Sequence, residues 1–229
     1  MITLAMDCAT DSVGLALLKE EELQAELYLG PGRHHAEVLL PGLENLLLST
    51  GIAIEEVELI VCTAGPGSFT GVRTGVSTAK GLALATGVPI VAVSTLEALA
   101  MNALPTAGLI CPLLDARRDQ VYAGLYRMGP DGFPEIVMPD RLTDIVQWIR
   151  DLPDGGIDWV GDGVLRYRDR IPEARSGRRD PVESMRHQIR ASAVGLIGIH
   201  RYSQGRAENA LTFSPRYLRL STAEAAVAT

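Results

Sequence analysis

The sequence predicts an α/β protein built twice, each half a mixed sheet flanked by helices. Three observations lead there. Apolar, strand-like runs alternate with amphipathic stretches after an opening meander, the pattern of a sheet covered by helices. The pattern restarts near the midpoint: at an offset of 108, MDCATDSVGLAL lies over LDARRDQVYAGL and matches Asp7 with Asp115, Asp11 with Asp119, Val13 with Val121 and Leu17 with Leu125. The composition, 47% hydrophobic and 21% charged, supplies a core and excludes disorder for the whole chain.

In order, residues 2–8 and 12–18 read as strands joined by the turn Ala9-Thr10-Asp11, and 23–29 as a third strand. A helix is expected over 34–49, stopped by Gly51, and a buried strand over 59–64. The glycine-rich GPGSFTG loop then feeds a helix over 70–86, followed by a strand at 88–93 and a short helix at 95–103. The second copy reads as strands 109–114 and 121–127, a helix at 142–152, a strand at 158–160 ending in Gly161-Asp162-Gly163, and a helix at 191–202. This predicts one lobe over 1–105, another over 106–220 with a cleft between them, and a loose tail at 221–229, which has no periodic apolar anchors.

No stretch approaches the ~18 apolar residues of a membrane span. The start MITLAMDCATDSV lacks the basic residues of a signal peptide, so a soluble cytoplasmic protein is expected. Cys8, Cys62 and Cys111 lie in strand-like runs and read as buried reduced thiols. His34, His35, His187 and His200 offer no zinc-type spacing, so no metal is expected. Residues 1–110 carry four basic residues against twelve acids, whereas 166–206 carries ten arginines against four acids. That stretch reads as a solvated face or as a contact for nucleic acid or an acidic surface.

Asp7 is read in two ways: as a turn residue whose side chain bonds nearby amides, or as a carboxylate that holds hydrated magnesium beside a phosphate. The glycine loop sits between a strand and a helix, which suits an anion, yet it is neither G-x-G-x-x-G nor a P-loop. Its glycines would also serve a tight strand-to-helix turn. The following helix carries a nearly bare stripe, Gly71, Gly75 and Ala79, and the first helix is apolar over a wide arc that includes Leu39, Leu43 and Leu46. Both helices could be sandwiched in their own lobe; the expectation taken is that they pack against an equivalent pair on another subunit.

The segments AGPGSFTGVRTG, LAMDCATDSVGLAL, RHHAEVLLPGL, LLDARRDQVYAGLY and SPRYLR fall in order across nearly the whole chain and together resemble the TsaB (YeaZ) family. The resemblance implies an actin-like ATPase (ASKHA) fold and a role in forming N6-threonylcarbamoyladenosine at position 37 of tRNA. It implies similarity to the catalytic subunit TsaD, which transfers the threonylcarbamoyl group and holds a metal through two histidines in an H-x-x-x-H helix. Thr95 and Leu99 stand here where those histidines are expected. Leucine cannot ligate a metal and threonine rarely does. The resemblance therefore implies a non-catalytic partner of TsaD, with no catalytic residues and no cofactor of its own, ATP or ADP and Mg entering only in an assembly completed by the ATPase TsaE.

In the family, the first-lobe helices contact TsaD, and the same surface makes a homodimer when TsaD is absent. Carried over, the interface residues are His35, Leu39, Leu43, Leu46, Gly71, Gly75 and Ala79, and Gly75→Leu should block the TsaD complex. A vestigial nucleotide site would comprise Asp7, Thr10, Gly65, Gly67, Ser68, Gly161 and Gly163. Alternatives are an ATP-dependent kinase or ATPase of the same fold, and a glycoprotease-like metallopeptidase of the M22 type, against which the missing ligand pair argues. Contact with tRNA is expected only within the complex.

Overall fold

The computed structural model describes residues 1–32, 34–103, 108–172 and 183–218. The expected tail at 221–229 and part of the arginine-rich stretch lie outside the described residues. Strands β1 (Ile2–Asp7), β2 (Val13–Lys19) and β3 (Glu22–Leu29) form an antiparallel meander. Strands β4 (Leu59–Thr63) and β5 (Ile90–Val93) extend it in parallel, giving the order β3-β2-β1-β4-β5. The second sheet repeats the plan with β6 (Leu109–Asp115), β7 (Gln120–Met128), β8 (Pro134–Asp144) and β9 (Ile157–Val160), in the order β8-β7-β6-β9. Antiparallel pairs join β6 to β7 and β7 to β8, and β6 pairs with β9 in parallel, as β1 does with β4.

Seven helices cover these sheets among the described residues: α1 (His35–Thr50), α2 (Phe69–Thr86), α3 (Thr95–Ala100), α4 (Ile145–Asp151), α5 (Asp162–Arg166), α6 (Glu183–Arg186) and α7 (Ala191–Ser203). Their ends follow local chemistry. Gly51 and Gly87 close α1 and α2 in the left-handed conformation, and Ser68 caps α2 by accepting from Gly71 N at 3.3 Å. The helix expected at 142–152 starts later, because Leu142 and Thr143 finish β8, and Asp144 caps α4 by accepting from Val146 N (2.8 Å) and Gln147 N (3.1 Å). Strand β8 itself was not expected.

Alternate residues of each central strand feed different cores, as the two-residue period requires. Leu4, Met6, Leu15, Leu17, Ile60 and Cys62 pack under α1 and α2. Ala5, Ala16, Leu18, Leu59 and Val61 face the opposite way, into a layer between the two sheets. A third core fills the outer side of the second sheet, with Cys111, Leu113 and Val121 under Ile145 and Trp148 of α4. All three cysteines are free and buried.

The middle layer is made by exchange. Helix α3, the last of the first half, packs on β6, β7 and β8, while α7, the last long helix of the second half, packs on β1, β2, β4 and β5. The chain then stays with the first sheet: Glu208 bridges to Ile90, Phe213 is buried beneath α2's side, and Arg216 N donates to Ala64 O at 2.7 Å. Residues 191–218, assigned by sequence to the lobe 106–220, thus lie on the lobe 1–105. The reason is α7's bare face: a Cβ on Gly198 would lie 2.3 Å from both Cγ atoms of Val61, and one on Gly195 2.4 Å from Leu18 Cδ1.

These glycines should differ on replacement. Gly198→Ala meets a stiff β-branched side chain and should destabilise by about 1–3 kcal/mol. Gly195→Ala meets a flexible leucine tip and should cost less, and Gly81→Ala on open helix surface should stabilise by about 0.5–1 kcal/mol. Urea unfolding of the three variants checks that order.

Candidate functional site

A cleft of about 730 Å³ opens between the two opening hairpins, lined on one side by Ala9, Thr10 and Asp11 with the glycine loop, and on the other by Asp115, Ala116, Arg117 and Asp162. Asp7 and Asp115 make the same turn contact: Asp7 Oδ1 accepts from Ala9 N (3.1 Å) and Asp115 Oδ1 from Arg117 N (2.9 Å), each two residues on. Their surroundings then diverge. Asp7 is sealed, with Thr63 Oγ1 donating to Oδ1 at 2.7 Å and no partner for Oδ2 among the described residues. Burial lifts its carboxyl from 3.8 to about 6. Asp115 is half-buried at the cleft, held by Tyr167 OH (2.9 Å) and Arg166 (3.3 Å).

The glycine loop is shaped by backbone that crosses it. A Cβ on Gly67 would lie 2.0 Å from Ala9 O, and one on Gly65, at φ +110°, 2.7 Å from Arg216 O. Ser68 N donates to Ala9 O (2.7 Å), Ala64 N to Val93 O (3.0 Å), and Val72 N to Ser68 O (2.8 Å). Ser68 N and Gly71 N of the loop are therefore engaged within the fold. Across the cleft, Gly161 and Gly163 back onto Leu113 while Asp162 lines the cavity, its Oδ1 accepting from Asp115 N at 3.0 Å. Burial raises Asp162 to about 6 as well, and Asp115 and Asp11 add to the rise.

Of the residues expected at a nucleotide site, Thr10, Gly65, Gly67 and Ser68 line the cleft; Asp7, Gly161 and Gly163 do not. The lining was incompletely read from sequence. Asp11, Asp115 and Asp162 face the loop, and Arg216 and Tyr217 arrive from SPRYLR, which carried the resemblance without being given a role. A polyphosphate would meet three carboxylates here, and among the described residues no group of three His, Cys, Asp or Glu is placed to hold a cation. Thr95 and Leu99 lie fully buried on α3, packed between the sheets and away from the cleft lining.

The helix stripe turns inward. Leu39, Leu43, Leu46 and Ala79 are buried beneath α1 and α2 in the first sheet's core. A Cβ on Gly71 would lie 2.1 Å from Cys8 O, and one on Gly75 3.1 Å from Cys8 Cβ. His35 bonds Thr10 O at 2.7 Å through Nε2 and pins the β1–β2 turn. Six of the seven residues expected at a partner contact are thus buried within their own lobe and His35 is half-buried: close approach of helix to sheet requires the bare stripe, and Gly75→Leu would press on Cys8. The exposed ridges are elsewhere, at Leu40 (55% exposed), Leu48 (74%) and Leu84 (49%). The arginine-rich stretch is likewise engaged where it is described. Arg166, Arg170, Arg186, Arg190 and Arg201 pair with Asp115, Asp119, Asp158, Glu26 and Glu97.

Two duplicated sheets, one a meander extended by two parallel strands and the other by one, with a cleft between their opening hairpins, define the actin-like ATPase fold class. Comparison with known proteins narrows this. A family model described as TsaD, tRNA N6-adenosine threonylcarbamoyltransferase, matches residues 30–153. The tRNA threonylcarbamoyladenosine biosynthesis protein TsaB of Bacillus subtilis is 35% identical over 98% of this chain and 97% of its own. The solved structure of YeaZ from Pseudomonas aeruginosa covers 95% of this chain and 99% of its own, with a TM-score of 0.81 and 29% identity. A tRNA N6-adenosine threonylcarbamoyltransferase of Jannaschia is 44% identical over 56% of this chain and 33% of its own. The chain belongs to the TsaB (YeaZ) family and to tRNA threonylcarbamoyladenosine biosynthesis.

The sealed carboxyl makes a pH prediction. Because Asp7 titrates higher in the fold than when unfolded, its ionisation costs stability: the penalty is absent below about pH 4, grows with pH and is complete above about pH 6. Asp7→Asn keeps the acceptor for Ala9 and Thr63. It should raise stability near neutral pH by about 1–3 kcal/mol and flatten the fall between about pH 4 and 6, read by urea unfolding across pH.

Proposed function

We propose that this chain is the non-catalytic subunit of the assembly that places threonylcarbamoyl on adenosine 37 of tRNA, acting by binding and supporting TsaD, with TsaE completing the assembly. The observation that carries the reading is the fate of Thr95 and Leu99: where a ligand pair would stand in the catalytic relative, the chain has two side chains closed into its middle core. A metal there would need both different residues and a route to solvent. The carboxylates of Asp11, Asp115 and Asp162 facing the loop likewise support a subunit that needs no cofactor of its own, ATP or ADP and Mg belonging to the assembled complex.

The partner face is the outer surface of α1 and α2, moved from the buried stripe to the exposed ridges. Beside them, Leu40, Leu43, Leu47, Leu48, Ile52 and Ile54 line a largely apolar groove of about 510 Å³. A related partner or a second copy of this chain can use one such surface, since a two-fold contact is self-complementary. Leu48→Glu with Leu40→Glu should abolish co-elution with TsaD in size-exclusion chromatography. The fold should hold to within about 0.5 kcal/mol, because both side chains are exposed. Unchanged co-elution would contradict the reading, as would a preparation of this chain alone that forms threonylcarbamoyladenosine.

A further inference from the structure

Most described arginines are paired: besides those of 166–206 named above, Arg127, Arg141 and Arg216 bind Glu135, Asp151 and Glu208. Two of these, Arg190 with Glu26 and Arg201 with Glu97, join the two halves of the chain. Arg73, Arg117 and Arg118 differ: all three are exposed, none pairs with a carboxylate among the described residues, and Arg117 lines the cleft. The hairpin that carries Arg117 and Arg118 holds Arg117, Arg118 and Asp119 at φ of 64°, 54° and 60°. Such left-handed backbone is costly for side-chain-bearing residues and fixes where the turn projects.

At the same mouth the rings of Phe69 and Tyr217 stack, with centroids 5.0 Å apart and an interplanar angle of 27°. The Arg73 guanidinium lies 5.1 Å from the Phe69 centroid. Phe69 is 41% exposed and Tyr217 39%. The pair joins the first turn of α2 to a segment from the far end of the chain. That segment is seated by Arg216 N on Ala64 O and by Lys80 Nζ on Leu211 O (2.7 Å) and Phe213 O (3.3 Å). Two part-exposed aromatic rings, with Arg73 beside one of them and Arg117 on the same cleft lining, stand out on a chain of net charge −7.

We propose that this patch receives a single-stranded RNA loop, its unpaired bases stacking on the Phe69–Tyr217 platform and its phosphates meeting Arg73, Arg117 and Arg118. Single strands are recognised by aromatic and guanidinium faces, and phosphates supply counter-charge to arginines that have no carboxylate partner among the described residues. Asp11, Asp115 and Asp162 on the same cleft lining repel phosphates and leave the arginines as their contacts. The inference rests on the reading that the assembly acts on tRNA and adds that this subunit itself touches the loop.

The test uses the complex of this chain with TsaD and a fluorescein-labelled tRNA anticodon stem–loop, read by anisotropy across salt, with complex mass followed by light scattering. Phe69→Ala and Arg73→Gln should each weaken binding about tenfold at unchanged complex mass. Joint Arg117→Gln and Arg118→Gln replacement should flatten the salt dependence by one to two phosphate contacts. A fully paired duplex should not respond to Phe69→Ala. The inference is overturned if the wild-type complex does not bind the loop, if no variant alters affinity, or if binding is lost only because the complex dissociates, which would make the patch a protein contact. Should the wild-type subunits fail to co-elute, the proposed function fails separately. Photo-crosslinking the loop to the isolated chain then decides the inference, with crosslinks at 69–73 and 216–218 supporting it and crosslinks elsewhere overturning it.

Discussion

The two sheets hold together by trading helices across a common apolar layer. Helix α3 leaves the first sheet to lie on the second, and α7 returns from the second to lie on the first, so neither half can complete its inner face without the other. Close approach makes the trade possible: α7 sits flush on Val61 and Leu18 because Gly198 and Gly195 present no side chain. Charged groups then fix the register at the rim. Glu26 of β3 accepts from Arg190 and from Ser192 N (3.0 Å) at the start of α7, and Arg201 near its end binds Glu97 of α3. Pairs of this kind contribute less to net stability than to selecting one arrangement, since each charge had to leave water.

That closed middle decides what the surfaces can do. Asp7, Thr95 and Leu99 are all shut away from solvent. The side chains left outside are ridge leucines on α1 and α2, an apolar groove beside them, and an aromatic and arginine cluster at the cleft mouth.

Much of the architecture was legible because it is local. The alternation of strands and helices, the repeat of Asp7-x-x-x-Asp11 in Asp115-x-x-x-Asp119 and the glycine stops at Gly51 and Gly87 all declare themselves within a few residues. Strand β8 escaped notice because Pro134 and Pro139 interrupt its pattern, which an edge strand tolerates. The bare stripe of Gly71, Gly75 and Ala79 was seen, yet periodicity says only that a face is buried and not which neighbour buries it. Cys8 and Cys62 were that neighbour. Two positions mattered without any sequence signal: the return of α7 to the first sheet, and the meeting of Phe69 with Tyr217 across most of the chain's length. Both depend on long-range packing.

Hydrogen–deuterium exchange of this chain, alone and with TsaD, tests the account most directly. The interlocked middle predicts that β1, β4 and α7 are strongly protected in both states, with new protection on adding TsaD confined to the outer surface of α1, α2 and the 51–55 connection. Fast exchange in α7 of the free chain, or new protection in the middle layer while α1 and α2 stay unchanged, would contradict it.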